Sequence, residues 1–274
     1  MDKKAVELSQ LSRILFDKAA FRWQLSISLS LVSGLISIIV SLVAPSLATN
    51  AVFAGIAALI LVIGYYLRFS FESIQDSAET MRRQSVLSEG LGWPITRAQF
   101  SEWRQRAGGK VLGHLAANPR PDEYYETKFA IGPERLAAMT FESLFWTKSL
   151  YRKVRGYLLI TIVLVTILLF GVLSIMPLFE FSKSSRTLLV YFVYLAIPLL
   201  VSVDLVGMYL RLNRSISAFS NMAGPLEALA NSASADHAEV LRMVSEYNCT
   251  LAAGLPIPKW VFDRHHNEIE ACWS

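Results

Sequence analysis

The chain has 274 residues, of which 53% are hydrophobic and 18% charged, with a net charge of +4. A soluble domain carries about 25% charged residues, and here the shortfall is concentrated in four apolar blocks. That distribution argues against an ordinary soluble enzyme. Cys249 and Cys272 are too few for a disulfide framework or a zinc pattern, and the mild basic excess is no nucleic-acid signal.

Residues 1–23 place Leu8, Leu11, Leu15 and Ala19 on one face of an amphipathic helix, expected to lead into the first apolar block along a membrane surface. The blocks run over 24–44, 51–67, 157–178 and 187–210, and each is close to the ~20 residues that a helix needs to cross a bilayer. Helices are expected because lipid satisfies no open backbone group. A cleaved signal peptide is not expected, since 23 residues of mixed charge precede the first block and a second block follows it. Of the 26 Lys and Arg residues, 24 lie in 1–23, 68–156 and 211–274. Basic segments stay inside. The expected protein is therefore all-α, with four transmembrane helices as two hairpins (24–68 and 157–210). Both termini, a helical region over 69–156 and C-terminal helices over 211–274 form a cytoplasmic bundle.

Within 69–156 the second block is expected to continue as a helix to about Glu89, where Gly90 and Gly92 stop it. Thr96 with Gln99 forms a capping-box pattern ahead of Phe100 and Trp103, and Gly108-Gly109 ends that helix. Pro133 suits the first position of a helix that runs into the third block. Beyond the fourth block, Gly224-Pro225 is expected to interrupt a helix, another begins near Asp236, and Pro256-Ile257-Pro258 precedes the last.

Five serines of the first block, Ser26, Ser30, Ser33, Ser37 and Ser41, fall within roughly an 80° arc at about 100° per residue. Small residues let membrane helices pack closely, and hydroxyls also suit the wall of a hydrated pore, so the stripe is a candidate for either role. Asp204 is the one charge inside a block and follows Pro198 by six residues; the pair are gating candidates, although an interfacial acid that reaches water is the plainer reading. Arg152, Lys153 and Arg155 at the mouth of the third block are candidates for headgroup contact. His265-His266 with Glu268, Glu270 and Cys272 looks metal-like, but adjacent histidines on a helix point about 100° apart, so no metal site and no cofactor is expected. No catalytic or nucleotide-binding motif is present, and no enzyme is expected.

Three stretches share a family likeness: Glu72-Ser-Ile74-Gln75-Asp76; Tyr124-Tyr125 ahead of Trp146 and Tyr151-Arg-Lys153; and Ile257-Pro258-Lys-Trp260-Val-Phe262-Asp-Arg264 with Glu268. In these, and in its layout, the chain resembles the SMODS-associated four-transmembrane effector family, pore-forming proteins of bacterial antiphage signalling. It departs from that family's pattern at Trp93-Pro94 and at Phe141-Glu142-Ser143. The resemblance implies a multi-pass effector of the bacterial inner membrane. It also implies a homo-oligomer that breaches the bilayer when a partner senses a nucleotide second messenger. A membrane-anchored scaffold that recruits a partner is the alternative, and a small transporter fits less well because broken, polar helices are few.

Overall fold

The computed structural model describes residues 3–43, 47–118, 125–127, 129–175, 204–232 and 234–273, with backbone alone for residue 35 and for 37–43, 47–50 and 168–175. Eight α-helices and no strand occur among the described residues. They are α1 (Lys3–Val43), α2 (Leu47–Leu91), α3 (Arg97–Ala107), α4 (Gly109–Ala117), α5 (Pro133–Ile175), α6 (Leu205–Ala230), α7 (His237–Ala252) and α8 (Lys259–Trp273). Two compact units share them: one of Met1–Phe21, Phe71–Val154 and Arg211–Ser274, the other of Arg22–Ser70 and Arg155–Leu210. Helices α1, α2, α5 and α6 contribute residues to both.

The polar unit is built on three cores. In the first, Ala5, Leu8, Leu11 and Leu15 of α1 pack against Ala78 and Met81 of α2, with Ile95, Ala107 and Val111 closing the cluster. The apolar face of residues 1–23 is therefore covered by protein, which corrects the expectation that it lies on a membrane surface. In the second, Val86 of α2 meets Leu136, Ala137 and Met139 of α5, Ala230 of α6, and Val240 and Val244 of α7. The third centres on the buried rings of Tyr151, Phe219 and Tyr247, whose centroids lie 5.8 and 5.6 Å apart in sequence. Tyr151 donates its hydroxyl hydrogen to the carbonyl of Leu255 at 2.9 Å, so burial of the phenol leaves no donor unmet.

Among the described residues of this unit, the buried Glu79 is ion-paired with the half-buried Arg82. Arg82 and Arg83 both reach Glu79, and Arg82 also donates to the side chain of Asn248 at 2.6 Å. Burial works against the Arg82 charge, but the Glu79 carboxylate outweighs it and holds the guanidinium above its ordinary pKa. Removing one partner of such a pair leaves the other charge where water screens it poorly.

Helix ends follow local chemistry. Gly92 stops α2 at φ 72°, a left-handed conformation that glycine adopts without cost. Thr96 and Gln99 form a reciprocal capping box on α3, Pro133 opens α5, and Asp236 caps α7 through the Ala238 N–H. Two elements differ from expectation. Residues 109–117 form α4, which starts directly from the Gly108 that ends α3. Helix α6 runs through Pro225 to Ala230, because Met222, Leu226 and Ala230 on its inner face are all buried and hold the helix across the one lost hydrogen bond.

In the second unit, α2 is the one helix among the described residues that is long and apolar enough to cross a membrane. Its apolar window is 11% buried, whereas the core helix of a soluble domain is mostly buried. Val52, Ile56, Leu59, Val62, Tyr66 and Phe69 lie on its surface, and Leu159, Ile160, Val163, Leu164 and Ile167 do the same on α5. Contiguous large apolar side chains on a surface mark contact with lipid or with another protein. The fourth apolar block, apart from 204–210, lies outside the described residues.

Candidate functional site

Among the described residues, two places that combine polar groups with apolar surroundings stand out. The first is the contact between α1 and α2 within the apolar unit. Ser26 and Ser33 are buried there, and their hydroxyls donate to the carbonyls of Gly64 at 2.9 Å and Ala57 at 2.8 Å. Seven residues forward along α1 match seven back along α2, two helical turns each, which fixes an antiparallel register. The partner positions are glycine and alanine because only small side chains let the backbones come this close. A Cβ built on Gly64 would stand 3.5 to 3.7 Å from the Ser26 carbonyl, Ser30 and Leu29, which is ordinary contact. Ser30 bonds its own helix, donating to the Ser26 carbonyl at 3.0 Å. Of the serine stripe, Ser26 and Ser33 are thus buried in the α1–α2 contact. The side chains of Ser37 and Ser41 lie outside the described residues.

Beside this contact, Trp23, Ser26, Ser30, Gly64, Tyr65 and Arg68 line a crevice of about 20 Å³. That is room for a water molecule and little more. Arg22 donates to the Ser70 hydroxyl nearby in the same unit. Trp, Tyr and Arg gathered at one end of an apolar helix pair is the composition of a membrane–water boundary.

The gating candidates divide. Pro198 lies outside the described residues. Asp204 stands at φ 49°, where aspartate is among the few tolerated side chains, and its carboxylate accepts the Gly207 N–H at 3.2 Å. It therefore caps the N-terminus of α6, and a negative group there complements the helix dipole. A Cβ on Gly207 would run into that carboxylate, so the glycine is part of the cap. Among the headgroup candidates, Lys153 is paired with Glu268 at 2.5 Å, Arg152 is exposed, and Arg155 falls in the apolar unit. Lys153 and His265 together hold the Glu268 carboxyl below its ordinary range. His265 pairs with Glu268 at 2.9 Å, and His266 stacks on Trp146 with ring centroids 5.2 Å apart. Among the described residues no three potential ligands converge on a metal position.

The second place is a cleft of about 560 Å³ in the polar unit, lined among others by Glu126, Glu142, Glu227, Phe129, Phe141 and Trp273. Glu142 projects from the buried side of α5 and is 7% exposed. Its carboxylate accepts the Glu126 N–H at 3.2 Å, and Glu126 in turn accepts the Trp273 indole N–H at 3.1 Å. Burial, with the Glu126 charge adding to it, pushes the Glu142 carboxyl up to about 7. The sequence offered one signal for this cleft: an acid at 142 amid the apolar positions Leu136, Met139 and Leu144 that face the core.

Two outcomes follow. Ser33→Leu overpacks the α1–α2 contact and lowers stability by about 1–3 kcal/mol, whereas Ser28→Leu, on the exposed side of α1, stays within about 0.5 kcal/mol; unfolding followed by circular dichroism in detergent compares them. Glu142 binds its proton more tightly folded than unfolded, so its contribution to stability is full below pH 4.5 and is lost as pH rises through about 7. Glu142→Gln is then more stable relative to the parent at pH 8 than at pH 4, read from melting temperatures across that range.

Neither a protein-family model, nor a curated protein, nor a solved structure matches the chain.

Proposed function

We propose that the protein is a multi-pass membrane effector that makes the bacterial inner membrane permeable when its helical bundle receives a signal. In this reading the apolar blocks cross the bilayer four times as two hairpins, with both termini cytoplasmic. The observation that carries it is α2: one helix whose residues from Ala51 form an exposed apolar surface and whose residues from Phe71 pack into the polar unit. Such a helix links lipid contact and signal reception in a single covalent element. The sequence resemblance supplies the expected trigger, a partner responding to a nucleotide second messenger.

The serine contacts bear on where a permeation path would run. Because Ser26 and Ser33 donate to α2 within one chain, in our reading the path runs between copies of the chain in a homo-oligomer. The cleft of the polar unit favours a second reading, a membrane-anchored scaffold whose bundle binds a partner.

Liposomes loaded with carboxyfluorescein and carrying the full chain separate the two. Dye release on adding cytosolic extract from phage-infected cells, and none with extract from uninfected cells, is the expected result. Full retention of dye with both extracts contradicts the effector reading.

A further inference from the structure

The cleft between Glu126 and Trp273 is built differently from the rest of the bundle surface. Its volume of about 560 Å³ lies within the range of small-molecule sites. Phe129, Phe141 and Trp273 give it aromatic walls, while Glu126, Glu142 and Glu227 bring three carboxylates to it. Several acids elsewhere on the polar unit are matched by bases: Glu79 by Arg82 and Arg83, Glu102 by Arg106, Glu239 by Arg242, and Glu268 by Lys153. None of the three cleft carboxylates is ion-paired with a described residue.

Glu142 is more than nine-tenths buried and receives a single N–H, from Glu126. Once ionised, as beside a bound cation, its carboxylate presents about four lone-pair sites, so most of its accepting capacity is unused. The Thr127 hydroxyl, also on the cleft wall, is shielded from solvent and has no hydrogen-bond partner. The Trp273 indole N–H holds Glu126 in place and sets its ring among Phe141 and Phe145, at centroid distances of 5.7 and 4.9 Å. Aromatic faces beside carboxylates attract cations both through the ring quadrupole and by direct charge.

We propose that this cleft binds a small organic cation, an amine or guanidinium carried on an apolar or aromatic body. Glu142 forms the floor that meets the cationic head, Glu126 and Glu227 stand at the rim, and Phe129, Phe141 and Trp273 enclose the body. The same negative field disfavours an anionic nucleotide here, so the site is separate from any nucleotide-sensing event. It stands independently of the membrane-effector reading.

Isothermal titration of the full chain in detergent micelles with benzylamine tests it, with benzyl alcohol as the neutral counterpart. Saturable one-site binding is expected for the amine and not for the alcohol. Glu142→Gln and Glu227→Gln each weaken benzylamine by about tenfold, the factor set by about 1.4 kcal/mol of lost attraction. Glu246→Gln, on α7 and not lining the cleft, leaves the affinity unchanged. Glu227 is exposed on α6, so its variant reports on the cleft without disturbing the core, and melting curves confirm that each variant is folded. Absence of saturable binding, equal binding of the alcohol, or affinity unmoved by both cleft variants overturns the proposal.

Discussion

The hydroxyl of Ser26 on the carbonyl of Gly64, repeated two turns on by Ser33 and Ala57, is the contact on which the apolar unit depends. An apolar helix pair in lipid gains nothing from the hydrophobic effect, because the chains of the lipid are as apolar as leucine. What remains is close packing and interhelical hydrogen bonding, each bond contributing about 0.6 kcal/mol on average. Here both coincide at two points in one register. The outer faces of α2 and α5 are free to carry large apolar side chains, as Leu59, Val62, Ile160 and Leu164 show.

The polar unit uses a different physics. The cores among its described residues bury leucine, methionine and aromatic side chains in the manner of a water-exposed bundle, and it tolerates a largely enclosed pair, Arg82 with Glu79. Within the proposed arrangement these two modes meet inside single helices, since α2 supplies Ala57 and Gly64 to one unit and Ala78 and Met81 to the other. Each half of the helix obeys the solvent that half is proposed to face.

Much of the helical layout was legible because it is written in short-range chemistry. The Thr96–Gln99 box, Gly92 at positive φ, Pro133 at a helix start and Asp236 at a cap are decided within a few residues. What was not legible depended on distant neighbours. Pro225 stays helical because buried Met222 and Leu226 outweigh its missing N–H. The face of residues 1–23 is equally suited to lipid and to a protein core, and only the positions of Ala78 and Met81 decide between them. The cap that Asp204 forms on the Gly207 N–H depends on a left-handed backbone that no sequence pattern shows. The cleft joins residues from 126, 142, 227 and 273, a spacing that carries no local signature.

The central claim is that the exposed apolar face of α2 meets lipid. It is tested most directly by a spin label at Leu59→Cys in a chain carrying Cys249→Ser and Cys272→Ser, reconstituted in bilayers, with Ser101→Cys on α3 as the comparison. Collision with oxygen and with a water-soluble nickel chelate is read by electron paramagnetic resonance. High oxygen and low nickel accessibility at position 59, with the reverse at 101, is the predicted result. High nickel accessibility at position 59, or shielding of that position from both reagents, would contradict the account.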